Sequence, residues 1–276
     1  MVDFIVGEKF YNVSDFIYSS DKVEYGNEDY NKLNNTFNID KLKNINIVYL
    51  HTMYKNQFFK LIENIDKKFI IITHNSDINI DFDNSPKNVI KWFSQNVNCK
   101  SDKLESLPIG LENTRWFSHL RKKEKMIQKL NEKKNIKSLL YINHNPQTYP
   151  KERLEPYKIF QKKPWVSLEV GSNGQRFDNY LDNIYNHKFT LSPRGNGIDT
   201  HRKWEALYLN TIPIEKRNIN NTFYEDLPIC FVDEWEDITE DFLNSEYARI
   251  MKTQYNLEKL NVEFWKNKIK SDGEIY

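Results

Sequence analysis

The chain has 276 residues, with 40 basic and 39 acidic side chains and a formal net charge of +1. This length allows one large domain or two small ones with ample core, and the balanced charge excludes a global field that attracts nucleic acid or an anionic membrane. Aromatic residues make up 14% of the chain, which argues against a disordered protein despite the many Asn and Lys residues.

The cysteines and the first residues favour a cytoplasmic protein. Cys99 and Cys230 lie far apart and have no metal-ligand spacing, which fits a reducing compartment and leaves a disulfide open. Residues 1–7 lack the basic region and apolar run of a signal peptide. No window reaches about 18 uninterrupted apolar residues. The sequence therefore predicts no transmembrane segment. It indicates either an intracellular protein or one that has been separated from a membrane anchor.

Strand-like and helical patterns alternate in the first half of the chain. The predicted strands are 2–6, 15–18, 45–50, 69–73, 89–93 and 104–109. Residues 53–64 have the apolar spacing of a helix, whereas residues 19–44 are polar and predict a loop or a weak helix. Such alternation is typical of a parallel α/β sheet, in which ligands bind beyond the carboxyl ends of the strands.

A basic segment follows, at residues 121–137, with eight Lys or Arg and two acids. It can be a basic patch for phosphate or an anionic surface, or a solvated helix that links two domains. We favour the linker and place the domain boundary between residues 133 and 134.

The α/β pattern restarts after this segment. The predicted strands are 138–143, 165–170, 189–191, 211–214 and 229–232. The predicted helices are 150–160, 176–186, 200–209 and, as one helix or two, 247–270. The fold class is therefore α/β in both halves, and no internal repeat is visible beyond this rhythm.

A loop suited to anions joins the predicted strand at 189–191 to the helix that Asp199 or Thr200 can cap. The loop contains Pro193, Gly195, Asn196 and Gly197. Its backbone N–H groups and the helix N-terminus can face a negative ligand. The cations beside them are Arg194, His201 and Arg202.

The same region carries a family pattern. It consists of Ser192-Pro193-Arg194-Gly195, the run 201–207 and Ile212-Pro213-Ile214, with weaker matches at 72–77 and 107–113. These residues resemble the donor-binding segment of exostosin-like glycosyltransferases and, more distantly, that of fucosyltransferases. The resemblance implies the GT-B architecture, with two Rossmann-like domains facing a central cleft.

The resemblance also implies which domain binds each substrate and which reaction is catalysed. Residues 1–133 would bind the acceptor, residues 134–255 the nucleotide sugar, and residues 256–276 would form a helix packing back toward the first domain. A sugar would pass from a nucleotide-sugar donor, UDP-linked or else GDP-linked, to a glycan hydroxyl, with inversion and with no metal or other cofactor. The lack of an animal-type anchor and stem indicates a bacterial or viral enzyme of surface glycan synthesis.

Several residues are predicted to hold the donor. Arg194 and Arg202 can stabilise the negative charge of the departing nucleoside diphosphate, or they form surface ion pairs. The resemblance assigns the donor ribose to Glu205, and the alternative is a helical pair between Arg202 and Glu205. It assigns a further phosphate contact to Arg153, and the alternative is a surface helix arginine.

The turn between these groups completes the predicted donor site. Gly195, Asn196 and Gly197 would contact the phosphates. Asp199 is a helix cap or a ligand contact, and His201 is a phosphate donor or a structural histidine.

An inverting transferase needs a base that takes the proton of the acceptor hydroxyl. The candidates are Asp77 and His74, with Glu112 as a third. Each can instead cap a loop. The run Asp81-Phe82-Asp83 spells the short acidic motif with which many other glycosyltransferases hold a divalent metal. We interpret it as a solvated loop and predict no metal requirement.

Two other classes remain open. One is a module that binds a nucleotide or glycan without turnover. The other is a nucleic-acid-binding protein that uses residues 121–137, against which the near-zero net charge weighs. A P-loop motif is absent from the sequence, and Gly195-Asn196-Gly197 lacks the third glycine of the dinucleotide fingerprint.

Overall fold

The structure, a computed structural model, describes residues 3–18, 39–113, 118–170 and 177–274. The chain folds into two compact units. Unit 1 comprises Met1–Ile109 and Asn261–Tyr276, and unit 2 comprises Gly110–Leu260. Each unit is built on one five-stranded sheet whose neighbouring strands are all parallel. The predicted α/β class is confirmed, and the two sheets are compatible with two Rossmann-like domains.

The regular elements of the described residues are as follows. The strands are β1 Phe16–Ile17, β2 Ile47–His51, β3 Phe69–His74, β4 Val89–Ser94, β5 Leu104–Ser106, β6 Ser138–His144, β7 Val166–Val170, β8 His187–Leu191, β9 Ile212–Lys216 and β10 Cys230–Val232. The α-helices are α1 Lys55–Ile62, α2 Ser118–Leu130, α3 Pro150–Arg153, α4 Glu155–Phe160, α5 Phe177–Tyr185, α6 His201–Tyr208, α7 Glu240–Lys252 and α8 Val262–Glu274. Short 3₁₀ helices are Gly7–Val13, Ile39–Asn44, Thr52–Tyr54, Asn220–Tyr224, Trp235–Asp237 and Glu258–Leu260.

The sheet of unit 1 follows chain order, β1-β2-β3-β4-β5. Its central strands β2 and β3 are buried along their whole length, as continuous apolar runs in a parallel sheet require. Helix α1 buries Phe58, Phe59 and Ile62, which lie on one helical face. Helix α8 belongs to this unit and contacts β3 and the 3₁₀ helix Gly7–Val13.

The sheet of unit 2 changes direction. Its order is β10-β9-β8-β6-β7, so the chain passes from β6 to β7 on one side and then returns to β8 on the other. The core includes the buried strand residues Leu140, Ile142, Phe189, Leu191 and Ile214. The carboxyl ends of β6 and β8 therefore lie side by side at a topological reversal.

Several predicted elements differ in extent. Among the described residues of the predicted strand 2–6, only Val6 forms a bridge, and the chain turns into a 3₁₀ helix at Gly7. The predicted strand 15–18 shortens to β1. The predicted helical segment 247–270 divides between the end of α7 and most of α8. Residues 19–38 of the predicted loop lie outside the described residues.

The boundary between the units lies after Ile109, not after residue 133. Helix α2 belongs to unit 2 because it packs against α5. Its Lys125 and Lys129 lie 3.5 and 2.9 Å from an Asp182 carboxylate oxygen. Local charge density suggested a linker, whereas these long-range ion pairs make the segment part of the second fold. In the described ranges, no helix combines the length and apolar character needed to cross a bilayer.

Candidate functional site

The strongest candidate site lies at the reversal of the sheet in unit 2. Strand β6 ends at His144 and leads to Arg153 on α3. Strand β8 ends at Leu191 and leads through residues 192–200 to α6, whose first two residues are His201 and Arg202. Such a reversal opens a crevice at the carboxyl ends of the two strands. Two segments distant in sequence are thus brought to one edge.

Arg153 holds the loop that follows β8. Its Nε donates to the carbonyl oxygen of Arg194 at 2.8 Å, and Nη2 and Nη1 donate to the carbonyls of Pro193 and Asn145, both at 3.4 Å. The residue is 8% exposed. A Cβ on Gly195 would lie 3.0 Å from Arg153 Nη2. A side chain at position 195 would therefore require the Arg153 guanidinium to shift by a few tenths of an ångström.

Arg153 and Arg202 form a concentration of positive charge. Burial and then the charge of Arg202 lower the pKa of Arg153 to about 10. Neither guanidinium makes an ion pair with a carboxylate within the described part of the chain. Arg202 Nε is buried, and none of the described residues accepts a hydrogen bond from it. Two partly or wholly buried cations without a counter-ion are the arrangement that an anionic ligand can neutralise.

His144 contributes a neutral imidazole to the same edge. It is 1% exposed, and its Nε2 lies 2.9 Å from the carbonyl oxygen of Arg153. Burial first, and the Arg202 and Arg153 charges next, lower the pKa of His144 to about 3. Its Nδ1 is buried and has no hydrogen-bond partner among the described residues.

Arg194 contacts both the Tyr149 ring and the backbone of its own loop. Its guanidinium lies 4.5 Å from the centre of the Tyr149 ring and donates through Nη2 to the carbonyl oxygen of Asn196 at 3.0 Å. The Gly195 N–H donates to the Gly197 carbonyl at 3.0 Å. In this conformation the predicted phosphate-binding turn satisfies some of its own hydrogen bonds, while Arg194 stays half-buried at its rim.

Asp199 anchors α6 rather than facing a ligand. The carboxylate is buried, lies 2.7 Å from Lys203 Nζ, and accepts from Trp204 Nε1 at 2.9 Å. It also accepts from the Thr200 N–H at 2.9 Å. The helix cap predicted at Asp199 or Thr200 is not formed by either side chain, because Thr200 occupies the N-cap position without a side-chain cap hydrogen bond. Asp199 instead holds the first turn of α6 through Lys203 and Trp204. Glu215 lies 3.6 Å from the same Lys203, and burial raises its pKa to about 7 despite that ammonium.

Glu205 is engaged by protein groups, which favours a structural role over the predicted ribose contact. It is 3% exposed. Oε1 lies 2.7 Å from Lys122 Nζ, and Oε2 accepts from the Tyr180 hydroxyl at 2.6 Å. Burial alone would raise the pKa of Glu205, but the Lys122 ammonium outweighs it and the pKa falls to about 2. The alternative pair with Arg202 is not formed either.

The same contacts give Glu205 a positioning role. The Tyr180 ring, whose hydroxyl Glu205 holds, lies 5.6 Å from the Arg202 guanidinium carbon. Lys122 also lies 3.5 Å from Glu112, the third predicted base. Sequence reasoning missed Lys122 and Tyr180 because they lie 83 and 25 residues from Glu205. No local spacing marks either residue.

His201 and the basic segment are also tied to unit 2. His201 Nδ1 lies 2.8 Å from the Gly110 carbonyl oxygen, which fits the structural alternative. Lys134 donates to the carbonyl of Asn210, at the C-terminus of α6, at 2.7 Å. With Lys122, Lys125 and Lys129 also paired internally, the segment 121–137 loses much of the free charge that a nucleic-acid surface would need.

The candidate bases in unit 1 have different environments. His74 is 0% exposed, and its ring nitrogens lie 3.1 Å from the Pro108 carbonyl and 3.2 Å from Asn75 Oδ1. This placement supports a structural role. Asp77 is exposed on the loop after β3. Asp81 accepts from Asn98 and Asp83 from Ser85 and Ser101, so both belong to a hydrogen-bonded loop.

The fold and these contacts define an α/β protein with a partly buried cluster of cations, a candidate site, at the reversal of its second sheet. No protein-family model matches the chain, and a search of curated proteins gave no match.

Proposed function

We propose that the chain is a GT-B glycosyltransferase that binds the diphosphate of a nucleotide sugar at the reversal of the sheet in unit 2. The observation that carries the proposal is the Arg153 and Arg202 pair, which lacks a carboxylate counter-ion among the described residues. It lies at the edge where open α/β sheets bind ligands and at the start of α6, whose dipole favours an anion.

The proposed chemistry uses this charge for leaving-group stabilisation. The acceptor hydroxyl oxygen attacks the anomeric carbon, the bond from that carbon to the phosphate oxygen breaks, and its electron pair leaves with the nucleoside diphosphate. The hydroxyl proton passes to a base, for which Asp77 and His74 are the predicted candidates; Asp77 is exposed, whereas His74 is buried. Preorganised guanidinium groups stabilise the developing charge, so we expect turnover without a metal.

Nucleotide binding without transfer is the second candidate. The burial of His74 favours it, because the ring faces the Pro108 carbonyl and Asn75 within the fold and one of the two predicted bases is then engaged there. The two functions share the donor site and differ only in turnover.

A ligand panel tests the shared part of the proposal. The thermal midpoint of the protein would be measured with UDP, GDP, CDP, CMP and inorganic pyrophosphate, because a ligand that binds only the folded state raises it. We expect a nucleoside diphosphate to give the largest rise. Equal midpoints with and without every ligand would refute donor binding.

Hydrolysis or transfer then separates the two candidates. The nucleotide sugar of the base that binds would be incubated with and without EDTA, and release of its nucleoside diphosphate would be measured. Release that survives EDTA supports the transferase, whereas tight binding with no release on any glycan acceptor supports the binding module.

A further inference from the structure

Of the buried polar atoms of unit 2 that have no hydrogen-bond partner among the described residues, two belong to residues at the reversal of the sheet: a donor, Arg202 Nε, and an acceptor, His144 Nδ1. We propose that the acceptor, His144 Nδ1, receives a hydrogen bond from a ribose hydroxyl of the bound nucleotide, while the donor, Arg202 Nε, binds its phosphate. The proposal rests on the nucleotide-sugar function and replaces the ribose role first predicted for Glu205.

The tautomer of His144 follows from its neighbour. Nε2 faces the Arg153 carbonyl oxygen at 2.9 Å, and a carbonyl oxygen can only accept. Nε2 therefore carries the hydrogen. Burial and the two nearby arginines disfavour a second proton, with the pKa of His144 lowered to about 3. Nδ1 consequently presents a lone pair at any physiological pH.

The orientation of the ring is fixed by Tyr157. The two rings meet edge to face with centroids 4.8 Å apart. The backbone N–H of His144 donates to the Tyr157 hydroxyl at 3.1 Å, and that hydroxyl donates to the His144 carbonyl. The acceptor is therefore preorganised, and a ligand need not order it on binding.

A donor and an acceptor at one edge select the chemistry of the ligand. The Arg202 charge contributes to the lowered pKa of His144, so the two side chains are within electrostatic reach of each other. A phosphate ester of a sugar offers both an acceptor oxygen and a hydroxyl donor. A fully ionised anion offers acceptors alone and would leave Nδ1 unpaired, at a cost of about 1–3 kcal/mol for a buried polar atom.

Glu205 cannot take this role in the observed arrangement. Both of its carboxylate oxygens are bonded, to Lys122 and to the Tyr180 hydroxyl. Asp199 is likewise paired with Lys203 and Trp204. Glu215 Oε2 also lacks a hydrogen-bond partner among the described residues but lies 3.6 Å from Lys203 Nζ, whereas no described cation or donor pairs with His144 Nδ1.

Deoxynucleotides and two histidine variants test the proposal. Dissociation constants would be measured by calorimetry for inorganic pyrophosphate, UDP, 2′-deoxy-UDP and 3′-deoxy-UDP, with the guanosine series used instead if GDP binds more tightly. In the unmodified protein we expect one deoxynucleotide to bind about tenfold more weakly than its parent.

The variants are His144→Asn and His144→Gln. The amide oxygen of Asn can replace Nδ1 as an acceptor, whereas the amide nitrogen of Gln can replace Nε2 and keep the bond to the Arg153 carbonyl. We expect the discrimination between ribose and deoxyribose to persist in His144→Asn and to disappear in His144→Gln. Pyrophosphate should bind all three proteins equally.

The outcomes distinguish the proposed role of His144 from the nucleotide-sugar function on which it rests. If no nucleoside diphosphate binds, both fall. If UDP or GDP binds but its two deoxy analogues bind equally well to the unmodified protein, the nucleotide function stands and the role of His144 is wrong. The role of His144 is also wrong if His144→Gln still binds the ribonucleotide more tightly than its deoxy analogue. It is wrong as well if His144→Gln loses as much affinity for pyrophosphate as for the nucleotide. If a variant fails to fold, the affinities of the unmodified protein for the nucleoside diphosphate and its two deoxy analogues provide the test, and equal affinities overturn the proposal.

Discussion

In unit 1 the five strands lie side by side in the order in which the chain makes them, whereas in unit 2 the order reverses between β6 and β8. Right-handed crossovers place successive connections on the same face while the order runs one way, and on opposite faces once it reverses. Only the second arrangement leaves a gap between two connections at the sheet edge. The same alternation of strands and helices therefore produces a candidate ligand site in one unit and not at a corresponding place in the other.

The polar groups at the two edges follow this difference. In unit 1, Asn75 has a left-handed backbone with φ of 58°, and its amide donates to the hydroxyls of Tyr11 and Tyr49 at 3.0 Å each. Gly7 packs so closely that a Cβ there would lie 2.2 Å from Asn75 Oδ1. In unit 2, Arg202 and His144 keep buried atoms for which the described residues offer no partner. Unit 1 also has such atoms near the ends of its strands, Thr52 Oγ1 after β2 and Asn79 Oδ1 after β3, but they belong to a neutral hydroxyl and a neutral amide. The second edge differs because its unpartnered donor belongs to a cation, which suits an anionic ligand.

The largest effect is expected from Lys122→Met, which leaves Glu205 buried with Tyr180 as its remaining partner. Removing one member of a buried ion pair costs about 3–5 kcal/mol, and this loss should appear in the free energy of unfolding measured with urea. Lys123→Met is the matched control on the same helix and should change it by less than about 0.5 kcal/mol. Adding Glu205→Gln to Lys122→Met should restore part of the loss. Equal stability of both single variants would show that the pair does not hold unit 2 together.

A pH-dependent effect is expected from Glu215→Gln. The folded-state pKa of Glu215 is about 7, above the ordinary 4.5, so the unfolded chain gives up this proton first as pH rises. The native protein therefore loses stability between about pH 4.5 and 7, by roughly 3 kcal/mol. Glu215→Gln removes that loss, so its stability relative to the unmodified protein should rise from pH 5 to pH 8. A constant difference across that range would contradict the raised pKa.

The contrast between the edges is tested by removing one cation from each. Arg202→Gln should weaken pyrophosphate binding about 10- to 100-fold, the value of a charge-assisted hydrogen bond. The matched variant in unit 1 is Lys55→Gln, which removes a half-buried ammonium close to the carboxyl end of β2 and should leave the affinity unchanged. Calorimetry at constant ionic strength measures both. If the two variants behave alike, the strand reversal does not mark the anion site.

The smallest effect is expected at Asn210, which ends α6 with a left-handed φ of 53°. An alanine is strained in that conformation, so Asn210→Ala should cost about 1 kcal/mol. Asn210→Gly should be close to neutral because the role of the residue is in its backbone, whose carbonyl accepts from Lys134. Thermal unfolding of the two variants measures the difference. A larger loss in the glycine variant would mean that the Asn210 side chain matters.

The sequence by itself determined the elements and one half of the candidate site. Apolar runs with strand propensity located β2, β3, β6 and β8, because burial on both faces of a parallel sheet requires such runs. The Pro and Gly residues between 192 and 198 marked the loop, and Arg194 and Arg202 followed from their position beside it. These features depend on residues that are adjacent in the sequence, so sequence patterns can predict them.

Only the tertiary structure decided which side chains meet. The reversal of the second sheet brings His144 and Arg153 to the loop that follows β8. Lys122 and Tyr180 take both oxygens of Glu205. Sequence spacing does not predict such long-range pairs, because their proximity depends on the order of strands and on helix packing. The loop predicted to bind an anion is thus confirmed as a β–loop–α connection, while its ribose contact moves, by our proposal, from Glu205 to His144.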